Sequence, residues 1–127
     1  MAGVILAFDF GLKHIGVAVG QTVTRTASPL TTLAAKNGKP DWREIQDLVS
    51  QWRADPLLVG LPLNMDDSES EMSERARGFA GMLESRTGVE VHLVDERLTS
   101  FAASQISDDD NHALAASLIA ETYLNQS

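Results

Sequence analysis

The sequence predicts an α/β protein whose helices flank a mixed, five-stranded sheet. Short apolar or alternating segments mark the strands, and longer segments with helical spacing separate the later ones. Only turn residues separate the first three strands, so these form an antiparallel meander. The fourth is a continuous apolar run, which is typical of a buried strand in a parallel pairing. Together these patterns predict a layered α/β sheet with a mixed strand order.

Each element carries its own signal. The predicted strands are residues 4–10, 14–20, 22–34, 57–61 and 89–94. Pro29 marks an edge or a bend in the third of these strands. Asp41 is suited to cap a helix. The predicted helices are residues 42–52, a long helix that follows the loop at 62–68 and ends near residue 86, a short helix at 99–105 and a last helix at 113–124. At 127 residues the chain can form one hydrophobic core, so we expect residues 1–127 to be a single domain.

The composition indicates a globular protein from a reducing compartment. Hydrophobic residues make up 43% of the chain, and there is no cysteine. The first apolar stretch is short and is interrupted by Asp9, so it predicts neither a signal peptide nor a membrane span. We therefore expect a cytoplasmic protein with no membrane partner.

The net charge of −8 disfavours nonspecific binding to nucleic acid, which depends on Lys and Arg. The charge is unevenly distributed, because residues 1–64 carry a net +1 and residues 65–127 a net −9. A local basic face or bound cations would still allow contact with a phosphate backbone.

Two acidic residues stand at predicted strand ends. Asp9 ends an apolar run, where a carboxylate is unfavourable unless a metal ion or a charged partner compensates it; the alternative is a turn or cap residue. Glu96 and Asp95 end the last strand, and only one of them can face Asp9 because adjacent strand residues point to opposite sides. We favour Glu96 as the ligand. The alternative is a structural acid pair neutralised by Arg97.

A third acidic segment precedes the last helix. The run of three aspartates at 108–110 is followed by His112. Helix capping and the helix dipole explain one or two of these acids, but the same position could bring Asp109, Asp110 or His112 to the sheet edge. The sequence favours surface or strand roles for His14 and His92, and packing roles for the two tryptophans.

Four segments in order along the chain resemble a known family. They are residues 8–20 (FDFGLKHIGVAVG), 28–30 (SPL), 59–66 (VGLPLNMD) and 94–100 (VDERLTS). They resemble the YqgF-type family of Holliday junction resolvases, also described as pre-16S rRNA nucleases. The resemblance implies an RNase H-like fold with a five-stranded mixed sheet flanked by helices. It also implies phosphodiester hydrolysis with divalent cations, a cytoplasmic location and maturation of the 5′ end of small-subunit ribosomal RNA.

The family motifs assign residues to roles. They make Asp9 the first acid and Glu96 the second. The third motif departs from the family pattern, because the segment before the last helix is shortened and an ungapped match falls on His112. We favour Asp110 as the third catalytic and metal-binding acid, with His112 as a further metal ligand and Asp109 as an alternate. Substrate contacts are expected from four further residues: Lys13, Asn64, Arg97 and Thr99.

The expected cofactor is Mg²⁺ or Mn²⁺, since hard oxygen ligands without cysteine disfavour zinc. The expected partner is nucleic acid, either a pre-rRNA within the small-subunit precursor or, as the alternative, branched DNA. The alternative to an enzyme is a noncatalytic binding module that associates with RNA or with the ribosome. The hairpin at residues 9–19 also resembles the phosphate loop of actin-like and sugar-kinase folds. Those folds need two such domains around ATP, so the length of this chain disfavours a phosphotransferase. The oligomeric state stays open, a homodimer included.

Overall fold

The computed structural model describes residues 3–64, 66, 68–96 and 111–126. Its strands are β1 (Val4–Asp9), β2 (His14–Gln21), β3 (Thr26–Lys36), β4 (Lys39–Pro40), β5 (Leu57–Leu61) and β6 (Val91–Asp95). Its helices are α1 (Trp42–Trp52), α2 (Glu71–Thr87) and α3 (Asn111–Asn125). The predicted short helix at residues 99–105 lies outside the described residues.

One mixed sheet contains all six described strands, in the order β4-β3-β2-β1-β5-β6. The strands β1 to β4 are antiparallel, whereas β5 is parallel to both β1 and β6. The predicted mixed α/β sheet, with its antiparallel meander and its parallel strands, is therefore confirmed. The carboxyl ends of β1, β5 and β6 meet at one edge of this sheet, which we call the carboxyl edge.

The sheet has six strands where the sequence analysis predicts five. The extra strand is β4, which pairs with the end of β3 through Ala35 and Lys36. Asn37 and Gly38 link the two strands, and both have positive φ, at 57° and 82°. An Asn-Gly pair with this backbone favours a two-residue hairpin, so β3 and β4 form a short hairpin that the five predicted strands do not include.

The third strand differs from its predicted bounds at both ends. It begins at Thr26 because the preceding residues form a turn, and it extends to Lys36 because β4 pairs there. The register against β2 shifts between Val17 and Ala18, so that Val17 faces Thr31 while Ala18 faces Pro29. This bulge accords with the irregularity predicted at Pro29.

The two faces of the sheet bury different halves of the strands. Leu6 and Phe8 point to the face covered by α1 and α2, where Phe8 meets the ring of Phe79 edge-on at 6.0 Å between centroids. Ile5 and Ala7 point to the opposite face, which α3 covers. Burying a large apolar side chain contributes about 1.5–3 kcal/mol. This alternation settles which side chains at the strand ends share a face.

Side-chain caps fix where the first two helices begin. The Asp41 carboxylate accepts a hydrogen bond from the backbone N–H of Arg43 at 3.0 Å, so the predicted cap is confirmed. Ser70 and Ser73 form a reciprocal cap at the start of α2. Ser73 is fully buried and also donates to the carbonyl of Pro62, which ties α2 to the end of β5. None of the described helices is long and apolar enough to cross a membrane.

Candidate active site

Asp9 and Glu96 come together at the carboxyl edge on the face covered by α3. Asp9 ends β1 and Glu96 directly follows β6. Strand alternation puts Asp9 on the face of Ala7 and Glu96 on the face of Val94, and both of these apolar residues pack against α3. Asp95 follows the same alternation to the other face. The structure therefore places Glu96 on the face of Asp9, as the sequence analysis favours.

The two carboxyl groups are hydrogen-bonded to each other. Burial raises the pKa of Glu96 to about 9, and the hydrogen bond to Asp9 and the negative charges of Asp9 and Asp95 add to the rise. Burial also raises the pKa of Asp9, against the hydrogen bond from Glu96 and the charge of His112, which lower it. Protonated Glu96 thus donates to the Asp9 carboxylate, and at neutral pH the pair holds one proton.

Gly60 makes this contact possible. Strand β5 lies between β1 and β6, so the Glu96 side chain must cross β5 to reach Asp9. It crosses at Gly60, where an added Cβ would lie 2.5 Å from Glu96 Oε1 and 2.7 Å from Glu96 Cγ. The same Cβ would lie 2.6 Å from Cδ1 of Ile119 in α3. The sequence analysis did not identify Gly60, because its effect depends on which strand stands between the two acids.

A second close approach sets the start of α3 beside Asp9. Gly16 pairs with Asp9 across β1 and β2. A Cβ on Gly16 would lie only 1.9 Å from the backbone oxygen of His112, so the first turn of α3 rests directly on β2. The absence of a side chain at Gly16 brings His112 close enough to act on the Asp9 pKa.

Two histidine rings stack where β2 and α3 begin. The rings of His14 and His112 stack with centroids 4.8 Å apart and an interplanar angle of 27°. His14 is exposed at the first residue of β2, as the sequence predicts, but its contact with His112 was not foreseen. No pattern in the sequence around either histidine predicts that β2 and α3 meet at this point.

The remaining predicted site residues are placed as follows. Lys13 is exposed in the loop between β1 and β2, at the carboxyl edge. Asn64 is exposed after β5, where its amide donates to Ser68 Oγ at 2.9 Å. Three predicted residues lie outside the described residues: Arg97, Thr99 and Asp110. Their roles stay predictions.

The donor set accords with a hard divalent cation. Asp9 and Glu96 offer carboxylate oxygens, the ligands that Mg²⁺ and Mn²⁺ prefer. A bound cation would neutralise the same two carboxylates and so replace the shared proton. Within residues 3–64, 66, 68–96 and 111–126, however, no three His, Asp or Glu side chains form a group that could hold a metal ion.

Comparison with known proteins agrees with this architecture. The structure of Thermus thermophilus RuvC in complex with a Holliday junction substrate superimposes with a TM-score of 0.63, covering 98% of this chain and 94% of that one. The fowlpox virus Holliday junction resolvase covers 98% of this chain and 99% of its own, with a TM-score of 0.55. Sequence identities are 12% and 13%, so these two structures show a shared fold.

The family model described as "RuvX: Holliday junction resolvase" matches residues 3–126. The chain belongs to the RuvX family. This confirms the predicted family, since RuvX and YqgF-type are two names for it. A relative in Cronobacter sakazakii, named "Putative pre-16S rRNA nuclease", is 54% identical over 103 residues, which are 81% of this chain and 75% of the relative. A relative of the same name in Escherichia coli K12 is 53% identical over 103 residues, again 81% of this chain and 75% of the relative.

The first prediction concerns the shared proton. Glu96 has a raised folded-state pKa, so its contribution to stability is complete below pH 4.5 and is lost as pH rises towards 9. Glu96→Gln keeps a donor to Asp9 without the titration. Each unit of pKa shift corresponds to about 1.4 kcal/mol, and partial exposure reduces it, so at pH 8 we expect a gain of roughly 1–3 kcal/mol.

Urea unfolding in EDTA between pH 5 and 9 measures this gain, with Glu121→Gln on α3 as the control. Parallel pH profiles for wild type and Glu96→Gln would show that Glu96 does not hold the proton.

The second prediction concerns Gly60. Gly60→Ala should lower stability by about 1–3 kcal/mol, because the methyl group overlaps Glu96 and Ile119. It should also return the pKa of Glu96 towards its ordinary value, as measured by carboxyl NMR titration. Gly81→Ala is the control, since its Cβ meets nothing within 4 Å, and it should be neutral or stabilising.

A double-mutant cycle separates the clash with Glu96 from the clash with Ile119. Glu96→Ala should recover part of the stability lost in Gly60→Ala. Strict additivity of the two substitutions would mean that Glu96 does not cross β5 at Gly60.

Proposed function

We propose that this chain is a metal-dependent endonuclease that hydrolyses phosphodiester bonds in processing the 5′ end of pre-16S rRNA. The observation that carries the proposal is the partly buried, hydrogen-bonded pair of Asp9 and Glu96 at the carboxyl edge. Membership of the RuvX family and the RuvC-like fold support nuclease chemistry. The name of the curated relatives supports the rRNA precursor as substrate.

The acid pair would hold Mg²⁺ or Mn²⁺ through its carboxylate oxygens once the shared proton has left. When bound, such cations activate a water molecule and stabilise the leaving oxygen. Asp9 at the end of β1 would supply one ligand, and Glu96 after β6 would supply a second. We propose Asp110 as the third acid, with His112 beside Asp9 as a further ligand.

Residues around the pair would orient the substrate. Lys13 lies at the carboxyl edge, where its ammonium group can meet a phosphate, and Asn64 presents a side-chain amide near the end of β5. We propose Arg97 and Thr99 as further contacts. All described strands share one sheet, which supports a single nuclease domain over residues 1–127. The rRNA substrate supports a cytoplasmic location and an encounter with the small-subunit precursor.

Holliday junction resolution is the second candidate, because the description of the matching family names it. The two substrates differ in chemistry, since one is RNA with a flanking single strand and the other is four-way DNA. Cleavage of both substrates should therefore be measured side by side with the same enzyme preparation.

The third prediction tests catalysis. Asp9→Asn should reduce cleavage of a 5′-extended 16S rRNA precursor in Mn²⁺ by at least about 10³-fold, because it removes a ligand charge. It should leave the fold intact and raise stability, since Asn removes a carboxylate charge that burial disfavours. Asp47→Asn on the exposed face of α1 is the matched control and should cleave at the wild-type rate. Full activity of Asp9→Asn would exclude Asp9 from the mechanism.

A four-way DNA junction in the same assay decides between the two substrates. Faster cleavage of the junction than of the precursor would favour the resolvase. Cleavage of neither substrate, together with retained RNA binding, would favour the noncatalytic binding module.

The fourth prediction tests the metal site. Mg²⁺ or Mn²⁺ should raise the melting temperature of the wild type by binding the native state, and Glu96→Gln should abolish the shift. Asp110→Asn should reduce the shift more than Asp109→Asn or His112→Ala. If these last three variants all match the wild type in the melt and in cleavage, the third motif lies outside the site.

A further inference from the structure

A groove of about 550 Å³ opens on the face of the sheet opposite the acid pair. It lies between the start of α1, the exposed side of α2 and the turn between β3 and β4, and we call it the α1–α2 groove. Three cationic side chains line it: Lys39, Arg75 and Arg86. No carboxylate is among its described lining residues. In a chain with a net charge of −8, this is a local concentration of positive charge.

The cations of the groove are exposed and weakly paired. Arg75 meets Glu71 at 3.4 Å, and both side chains are largely in solvent, so this pair contributes little. Lys39 and Arg86 form no ion pair with any described residue. The Arg86 guanidinium lies 5.3 Å from the centre of the Trp42 ring, which holds it at the groove wall.

The floor of the groove is apolar and aromatic. The Trp42 ring stacks on Phe79 at 5.5 Å and 23°, and the Phe10 ring lies 5.3 Å from the same Phe79. Met82 adds an exposed apolar surface, at 42%. Cations above an apolar floor suit a polymer that presents phosphates on one side and flat apolar bases or sugars on the other, as a nucleic-acid strand does.

One stretch of chain joins the groove to the acid pair at the carboxyl edge of the sheet. Phe10 directly follows Asp9 and points to the other face of the sheet. The loop after Phe10 is joined to the β3–β4 hairpin, because Gly38 donates to the Leu12 carbonyl at 2.9 Å and Ala35 donates to the Lys13 carbonyl at 2.8 Å. All three lysines of the chain lie on these joined segments: Lys13, Lys36 and Lys39.

We propose that the α1–α2 groove binds the phosphodiester backbone of a single strand that flanks the cleaved bond. The strand passes from the acid pair over Lys13 to Lys39, Arg75 and Arg86. This subsite rests on the proposed nuclease function and deepens it, because it provides affinity away from the scissile phosphate. It also accounts for how an acidic chain holds a polyanion, since three cations and no carboxylate are among the described residues that line the groove.

The test compares two double variants of equal charge. Lys39→Gln/Arg86→Gln changes the groove. Arg25→Gln/Arg53→Gln changes two exposed cations of the opposite sheet edge, where β1 begins. The probe is a fluorescein-labelled single-stranded RNA, and binding is measured by anisotropy in EDTA over a series of KCl concentrations.

The groove variant should bind roughly tenfold more weakly near 0.1 M salt, and the slope of log affinity against log salt should fall by about 1.4. The control variant should stay within about twofold of the wild type. Equal losses in both variants, or no loss in the groove variant, would overturn the proposal.

Cleavage kinetics separate this proposal from the proposed function. In Mn²⁺ the groove variant should raise KM and keep kcat, because the reacting atoms are untouched. An unchanged KM with normal cleavage would exclude the groove while the nuclease function stands. If the wild type cleaves neither RNA nor DNA, the binding measurement in EDTA still decides whether the groove holds the strand.

Discussion

The proton shared by Asp9 and Glu96 is the interaction on which the rest of the site depends. Two carboxylates on a partly buried face cannot both be ionised without a compensating charge, and burial raises the pKa of each. The neighbouring His112 offsets part of the rise in the Asp9 pKa. The pair is therefore stable as a singly protonated unit, and a divalent cation would compete with the proton for the same oxygens. Protonation, metal binding and folding stability are linked through these two side chains.

The two acids come together because a glycine, which has no side chain, stands between them on β5. Strands β1 and β6 are not neighbours, so the acids meet only because Glu96 crosses β5 at Gly60. On the other side of Asp9, Gly16 lets α3 rest on β2 and brings His112 near. Glycine within a strand ordinarily weakens it. At these two positions the weaker strand is accompanied by the close approach of Glu96 and of His112 to Asp9.

A net charge of −8 disfavours contact with a polyanion, yet the chain belongs to a family described as Holliday junction resolvases. The structure separates the charges. Carboxylates of the α2 start are partly neutralised by arginines of the same helix, as in the contact of Arg77 with Glu69 at 2.7 Å. The lysines concentrate on the β3–β4 hairpin and on the loop joined to it. A polyanion can thus meet local cations while the whole molecule is acidic.

The sequence by itself determined most of the elements, the cap at Asp41 and the family. It established that only one of Asp95 and Glu96 can face Asp9, because strand alternation is a local property with a period of two, and the structure decided for Glu96. It also contained the Asn37-Gly38 signal for the β4 hairpin, which the sequence analysis did not use. The roles of Asp110 and His112 stay predictions. Only the tertiary structure decided that β5 stands between the two acids, that Gly60 is the crossing point, that His14 meets His112 and that Phe10, Trp42 and Arg86 share a groove. These contacts depend on strand order and on the packing of helices against the sheet. Both bring together residues that are far apart in the chain, so no periodic pattern in the sequence predicts them.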